Sequence, residues 1–257
     1  MSILTSQAVT NRIGGDGNQG IYAESSTPLH YLGEKLEFKD GRTFRYCKAS
    51  GAAIAAAHLV AQDQSATSVV ESDGIIIAAA GRFSISAGST AIQITKASVT
   101  KDQFAGAFFM ITDDAGEGHQ YKIKSNSATG LTTSGKVDFD FFDPLVVAVT
   151  TASDIAIVGG LYNEVMSCTQ NTDEIPVGVA PIAVTADYYF WAQSAGIACV
   201  LADASAAIAL GDKLTVSDDT AGAAQLQDAY TEAAIGSACF APDDTGHVGV
   251  HLYGITA

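Results

Sequence analysis

The chain has 257 residues, of which 47% are hydrophobic and 16% are charged, a composition that argues against disorder of the whole chain. The formal net charge of −15 argues against direct nucleic-acid binding, because an acidic surface repels phosphate backbones. No apolar run approaches the roughly 20 residues that span a bilayer, and the first residues lack a secretory signal. The chain is therefore expected to be made and kept soluble in a cytosol, with no membrane partner.

The four cysteines are too widely spread for a Cys-x-x-Cys pair, and a chain of this size needs no disulfide staples. Free thiols in the core are therefore predicted. They are Cys47, Cys168, Cys199 and Cys239.

Residues 1–40 are predicted to form an extended N-terminal arm. A polar run at 14–20, which includes Gly14, Gly15 and Gly17, has few apolar positions that could pack. Such an arm becomes ordered when a neighbouring subunit or surface receives it, and the alternative is a terminus that is only flexible. The run lacks the strand, the helix and the Lys-Ser or Lys-Thr pair of a phosphate-binding loop, so no nucleotide is expected there.

Residues 41–144 are predicted to form a first β subdomain. After a turn at 40–41, alternation along 42–48 sets Phe44 and Tyr46 on the face opposite Arg45. The segment 52–62 has the helix propensity of alanine, but its pieces recur at 206–209 and 214–216, which suggests two related halves. Apolar runs between turn residues predict further strands at 74–80, 91–95, 107–112 and 120–124.

Residues 145–257, which follow a predicted boundary at Pro144, are predicted to form a second β subdomain.

In the whole chain, only the segments 99–104 and 220–230 favour a short helix. Many short strands separated by turns are typical of a sandwich or barrel. The predicted fold is thus mainly β, sandwich- or barrel-like, with the extended arm and little helix. The strands expected in residues 145–257 are 145–150, 154–158, 177–180, 187–193, 198–201, 213–217, 233–240 and 247–253.

Two acidic groups could supply oxygen ligands for calcium. One lies at 113–117 and the other comprises Asp138, Asp140 and Asp143. Neither has the spacing of the twelve-residue calcium loop. Turns between strands favour Asp and Gly for reasons of backbone geometry, which is the preferred explanation.

His247 and His251 lie four residues apart, so both point to one face of a strand. That geometry could hold zinc with a third ligand, but an interface pair is the preferred explanation. No Gly-x-Ser-x-Gly elbow occurs, and no nucleophile is followed by a base and an orienting group. We therefore predict that the protein is no enzyme and has no catalytic residue, metal or cofactor.

The aromatic run at 188–191 has two interpretations. In a central strand, Tyr189 and Trp191 would point to one side and fill the core or a subunit interface. In a carbohydrate-binding module, the same rings and Tyr188 would instead be exposed stacking platforms.

Several motifs of turn residues carry a resemblance to a known family. In the last third they are Gly211-Asp212-Lys213-Leu214, Ile235-Gly236-Ser237-Ala238 and an Asp-x-x-Gly-x-Val-x-Val run at 243–250, and residues 32–46 add an earlier segment. Together they resemble the capsid decoration, or cement, proteins of tailed bacteriophages. Residues 65–200 have no counterpart in this resemblance.

The resemblance implies a non-enzymatic virion structural protein that is synthesised in the host cytoplasm, binds the outer capsid surface and stabilises contacts between capsomers. It implies the major capsid protein and further copies of this chain, as a homotrimer, as partners. The expected interface residues are Tyr189, Trp191, Phe44 and Tyr46 for the trimer, and Gly14, Gly15 and Gly17 of the arm for the shell. The alternatives are a phage tail, neck or fibre component, or a carbohydrate-binding β module.

Overall fold

A computed structural model describes residues 8–9, 19–62, 70–72, 75–76, 84–96, 98–128, 135–169, 175–203, 207–229, 232–241 and 246–255. Across these ranges the regular elements are all β-strands, which confirms the mainly β, barrel-like fold class. The chain divides into two compact units, unit 1 (residues 1–63 and 161–257) and unit 2 (residues 64–160).

The folded units do not follow the predicted division into 41–144 and 145–257. Phe141 lies before Pro144 and Leu145 and Val149 lie after it, yet all three belong to one buried core in unit 2. The predicted boundary therefore runs through the middle of a unit, because a proline in a turn need not mark a domain boundary.

Unit 1 holds eleven of the strands in the described residues. They are β1 Ala8–Val9, β2 Lys35–Phe38, β3 Thr43–Lys48, β4 Leu59–Gln62, β12 Val165–Ser167, β13 Pro176–Val179, β14 Tyr189–Ala202, β15 Lys213–Val216, β16 Ala223–Leu226, β17 Gly236–Phe240 and β18 His247–Tyr253.

Five strands of unit 1 close into a barrel. The order β14-β16-β15-β17-β18 returns to its start because β18 also pairs with β14, from Ala195 opposite Tyr253 to Leu201 opposite His247. Side chains alternate along β18, so that Val248, Val250 and Leu252 point inward. Closure leaves no free edge among these five strands.

Strand β14 links the barrel to the rest of unit 1. Its first half pairs with β3 and its second half with β18, and the register shifts between Gln193 and Ala195. Gly196 follows this bulge with a φ of +83°, and a Cβ there would lie 3.0 Å from the Arg42 Cα. The strands predicted separately at 187–193 and 198–201 are thus one bent strand.

The described part of the predicted arm belongs to the body of unit 1. Strand β2 pairs with β3, β1 pairs with β2, and Ser25 forms a β-bridge with Tyr189. Residues 19–40 are therefore part of the fold rather than an extended arm. Gly14, Gly15 and Gly17, which were expected to bind the capsid shell, lie outside the described residues.

The described residues of unit 2 form a seven-stranded antiparallel sheet with the order β5-β11-β8-β9-β10-β7-β6. Its buried side chains form a single core, which includes Phe109, Ile123 and Phe139. The strands are β5 Val70–Ser72, β6 Ile75–Ile76, β7 Ala91–Thr95, β8 Phe108–Asp113, β9 Gln120–Asn126, β10 Lys136–Phe141 and β11 Asp154–Val158. Residues 145–150 were predicted to form a strand, but they do not form one.

The helix predicted at 99–104 is a succession of turns. Ser98, Asp102 and Gly106 have positive φ angles, which a right-handed helix does not allow. The Asn126 side chain holds the turns in place, since its Oδ1 accepts from the Phe104 N–H at 2.7 Å and its Nδ2 donates to the Thr100 carbonyl at 2.8 Å.

The helix predicted at 220–230 is also wrong. Residues 223–226 form β16, which pairs antiparallel with β15 and parallel with β14. Gly222 opens this strand with a φ of +75°, and a Cβ there would lie 2.3 Å from His58 Nδ1. The alanine-rich composition is helix-compatible, but pairing within the barrel overrides that propensity.

Gly222→Ala is expected to lower the free energy of unfolding of unit 1 by about 1–3 kcal/mol, because the new Cβ meets the His58 ring and the backbone becomes strained. Urea unfolding followed by Trp191 fluorescence measures the change. Gly211→Ala is the matched control, since its φ is +92° but nothing lies within 4 Å of the added Cβ. Equal effects of the two substitutions would contradict the packing of His58 against Gly222.

Candidate interaction surface

The outer face of the barrel is the most distinctive surface of unit 1. On β18 and the second half of β14, every second side chain points away from the core. On β17, Ser237 is half-buried, and Cys239 and Phe240 are both exposed at a register shift. Cross-strand pairing places Ile197 and Ser237 on either side of His251. We call the following set the barrel face: Ile197, Cys199, Leu201, Ser237, Cys239, Phe240, His247, Gly249, His251 and Tyr253.

None of these barrel-face residues is Asp, Glu, Lys or Arg, although the chain has 13 basic and 28 acidic residues. The exposed Lys213 of β15 lies opposite Ser237 and adjoins the barrel face. The face itself exposes large apolar side chains instead, since Ile197 is 64%, Phe240 62% and Tyr253 54% accessible. Because these side chains share one face, they form a candidate site of interaction. The sequence showed the alternation of β18, but not that three strands would combine into one uncharged face.

A groove of about 370 Å³ borders the barrel face. Ile197, Cys199 and His247 of the face contribute to its lining, and Tyr22 and Arg42 lie among its other lining residues. Arg42 is already engaged, because its Nε donates to Asp40 Oδ2 at 2.8 Å. Ile197, Cys199 and His247 thus belong both to the barrel face and to the lining of the groove.

Two of the predicted buried thiols are on this surface. Cys47 and Cys168 are buried as predicted, and burial raises the pKa of the Cys47 thiol. Cys199 and Cys239 are exposed, so the prediction is wrong for them. Cys199 takes an outward position on β14 and Cys239 lies at a register shift of β17.

The predicted histidine pair lies as expected on one face of a strand. His247 and His251 both point outward from β18. Within the described ranges, no group of three His, Cys, Asp or Glu side chains has a geometry that could hold a metal ion. Both rings belong to the barrel face.

His58, which is isolated in the sequence, is close to His247 in the fold. Its Nδ1 lies 2.9 Å from Ser167 Oγ, a contact between a hydroxyl and a possible base. Within the described residues, the His58 ring has Ser167 as its hydrogen-bonding partner and contacts no carboxylate. Neither His58 nor Ser167 lines the groove. This contact lacks the orienting group and the substrate recess of a nucleophilic site.

Burial lowers the pKa of His58 below its ordinary value of 6.5, and the nearby His247 ring adds to this effect. The folded protein therefore binds this proton less readily than the unfolded chain does. The stability that results is fully present above pH 6.5 and is lost as the pH falls.

Unit 1 is accordingly expected to become less stable towards urea as the pH falls below about 6.5, and His58→Gln should reduce this loss. Trp191 fluorescence at a series of pH values measures the midpoint. His251→Gln is the control, because this ring is exposed. An equal pH dependence in wild type and His58→Gln would refute the assignment to His58.

The aromatic residues predicted as a trimer contact lie in the core instead. Phe44 and Tyr46 are fully buried and Trp191 is 2% accessible, with Tyr189 partly buried against them. Tyr46 and Trp191 are directly paired across β3 and β14, and their ring centroids are 5.0 Å apart. Because β2 and residues 19–30 cover this side of the sheet, the buried rings offer no area to a second copy.

Gln19 and His30 complete this aromatic cluster, and sequence reasoning missed both. Gln19 Oε1 accepts from the Tyr46 hydroxyl at 2.7 Å, and the Gln19 carbonyl accepts from Trp191 Nε1–H at 3.1 Å. The His30 ring lies 4.9 Å from the Trp191 ring and 5.0 Å from that of Tyr46. The two residues are 161 or more positions from Trp191, so no local pattern could indicate the contact.

The acidic groups serve turns and strands. Asp114 donates its backbone N–H to Asp113 Oδ1 at 2.8 Å, and its Oδ2 accepts from the Thr150 hydroxyl at 2.9 Å. Asp138 and Asp140 accept from Gln93 and Ser125 on the neighbouring strands. These contacts agree with the preferred explanation that turn and strand geometry places the carboxylates.

Comparison with protein-family models, with curated proteins and with solved structures found no match. In the part of the chain that the structure describes, no helix is long and apolar enough to cross a membrane.

Proposed function

We propose that this chain is a decoration protein of a tailed bacteriophage, which binds the outer surface of the capsid and stabilises contacts between capsomers. The uncharged barrel face is the observation that supports this function. In this role the protein is synthesised in the host cytoplasm and becomes part of the virion. Its partner is the major capsid protein.

The distribution of charge favours docking through this face. Interface centres are depleted of charged side chains, because each buried charge must be desolvated or paired. In a chain of net charge −15, a patch without Asp, Glu, Lys or Arg is where a partner can approach at the lowest electrostatic cost. Tyr253, Phe240 and Ile197 supply the apolar area that such a contact needs.

The acidic remainder of the surface suits a protein that faces solvent on a particle. Like-charged exteriors repel each other, and this keeps decorated particles dispersed. A capsid offers many identical sites, so that contacts of modest affinity add up when one bound molecule touches two neighbouring capsomers. We also propose that the protein is a homotrimer. The contact between its subunits does not involve the buried aromatic residues Phe44, Tyr46 and Trp191.

The structure gives less support to the alternative of a carbohydrate-binding module. Stacking on a sugar requires an exposed ring, whereas Trp191 is 2% accessible and donates its N–H to Gln19. Nor does the Ser167–His58 contact supply the constellation of a hydrolase. A non-enzymatic role in assembly agrees best with these observations.

Co-sedimentation with expanded heads from the same genome, prepared without this protein, tests the proposal. The expected result is saturable binding at a fixed copy number. Absence of binding would overturn the function.

A further inference from the structure

We propose that unit 2 is a self-contained β module inserted into one hairpin of unit 1, and that unit 1 alone docks on the particle. The statement about docking rests on the proposed function. The statement about the inserted module does not.

The insertion point is a pair of neighbouring strands in unit 1. Strands β4 and β12 are antiparallel, and Gln62 at the end of β4 lies directly opposite Val165 at the start of β12. Antiparallel neighbours of this kind are commonly joined by a turn of two to five residues. Here the whole of unit 2 stands in place of that turn.

Unit 2 shows the matching arrangement at its own ends. Its first strand β5 pairs antiparallel with its last strand β11, so that Val70 lies opposite Val158. The chain thus enters and leaves unit 2 at adjacent positions. Domain insertions are tolerated where the two ends of the inserted part lie close together.

Each unit also has its own core. The core of unit 2 consists of residues between Ile92 and Ile157, with Ile85 packed against it. The three clusters of unit 1 consist entirely of residues before 63 and after 160. A group of strands with a core and neighbouring ends has what an autonomous folding unit needs.

The segment that follows unit 2 is fixed to unit 1. Lys48 Nζ lies 2.7 Å from Glu164 Oε1, and the Tyr162 ring packs against Gly33. The exposed side chains of the barrel face all belong to unit 1 as well. Unfolding of unit 2 therefore leaves both the closure of the hairpin and the barrel face in place.

The full-length variant Phe139→Ala tests whether the modules are independent. Phe139 is fully buried in unit 2, and its ring centroid lies 6.0 Å from that of Phe109. Trp191 is the only tryptophan and reports on unit 1. The thermal unfolding transition of unit 1, followed by Trp191 fluorescence, should stay unchanged in this variant. Hydrogen exchange of the amides of unit 2, measured at a series of temperatures, should show that unit 2 unfolds at a temperature lower by at least about 10 °C.

A common shift of both transitions would overturn the independence of the modules. Ile123→Val is the milder variant of the same core if Phe139→Ala does not fold. Val250→Ala is the reciprocal variant, and it should lower the Trp191 transition and leave the exchange of unit 2 unchanged.

Full-length Phe139→Asp then tests docking with unit 2 unfolded, because a carboxylate in this core has no partner. Binding to expanded heads should stay within about twofold of wild type, since the barrel face is intact. Loss of binding by this variant, with wild type bound and Trp191 emission native, would overturn docking by unit 1 alone. If the wild-type protein did not bind heads, the proposed function would be refuted. The conclusion that unit 2 is an inserted module would not be affected.

Discussion

Trp191→Ala is expected to lower the free energy of unfolding of unit 1 by about 3–5 kcal/mol. The substitution empties the centre of the aromatic cluster, where Trp191 contacts the rings of Tyr46 and His30. It also leaves the Gln19 carbonyl without the donor that now lies 3.1 Å away. Since whole domains are stable by only about 5–15 kcal/mol, the variant should be close to unfolding.

Urea unfolding followed by circular dichroism measures this change, because the variant has no tryptophan. Trp191→Phe keeps a ring and loses the N–H donor, so its cost should be intermediate. Tyr22→Ala is the exposed control, as Tyr22 is 68% accessible. If Trp191→Ala were as mild as Tyr22→Ala, the ring would not be a core residue, and an exposed role in a trimer or on a sugar would return.

The double variant Ile197→Asp/Tyr253→Asp is expected to weaken binding to expanded heads by at least about 100-fold. Each substitution puts an acidic group on a face that has none, so that docking must bury an unpaired charge. Losses of about 2 kcal/mol or more are usual at interface centres, and each 1.4 kcal/mol corresponds to a factor of ten.

Phe142→Asp/Val146→Asp is the matched control for this double variant. It makes the same chemical change at two exposed apolar side chains of unit 2, which are 58% and 70% accessible. Sedimentation binding curves should show near wild-type affinity for the control, and Trp191 emission should show an intact unit 1 in both proteins. Equal losses in the two variants, or none in either, would mean that the barrel face is not the docking surface.

Strands with a regular alternation were predictable from the sequence. Residues 91–95, 154–158 and 247–253 were predicted with the bounds that the structure shows. In each, apolar residues alternate with polar or small ones, or lie between turn residues, and such a local pattern needs no knowledge of the partner strand.

Strands whose pairing depends on distant residues were not predictable. Ala223–Leu226 is alanine-rich and suggested a helix, yet it lies between β15 and β14 in the barrel. Lys35–Phe38 was assigned to the arm together with the polar, glycine-rich run at 14–20, yet β3 provides its hydrogen-bonding partner. In both cases tertiary pairing determines the structure of a segment whose own propensity is weak.

The candidate surface was only partly predictable. His247 and His251 were expected on one face of a strand, and they are. That Ile197 and Phe240 lie on the same face depends on the closure of the barrel, which no local pattern encodes. The burial of the predicted aromatic contact residues has a different cause, because β2 and residues 19–30 cover that side of the sheet. The sequence shows the alternation of a strand but not which side is covered.

Sedimentation velocity of the full chain, with and without expanded heads from its own genome, measures directly whether the chain binds the capsid. We expect saturable binding to the heads at a fixed ratio to the major capsid protein. A chain that stays in the supernatant at every concentration would contradict the proposed function.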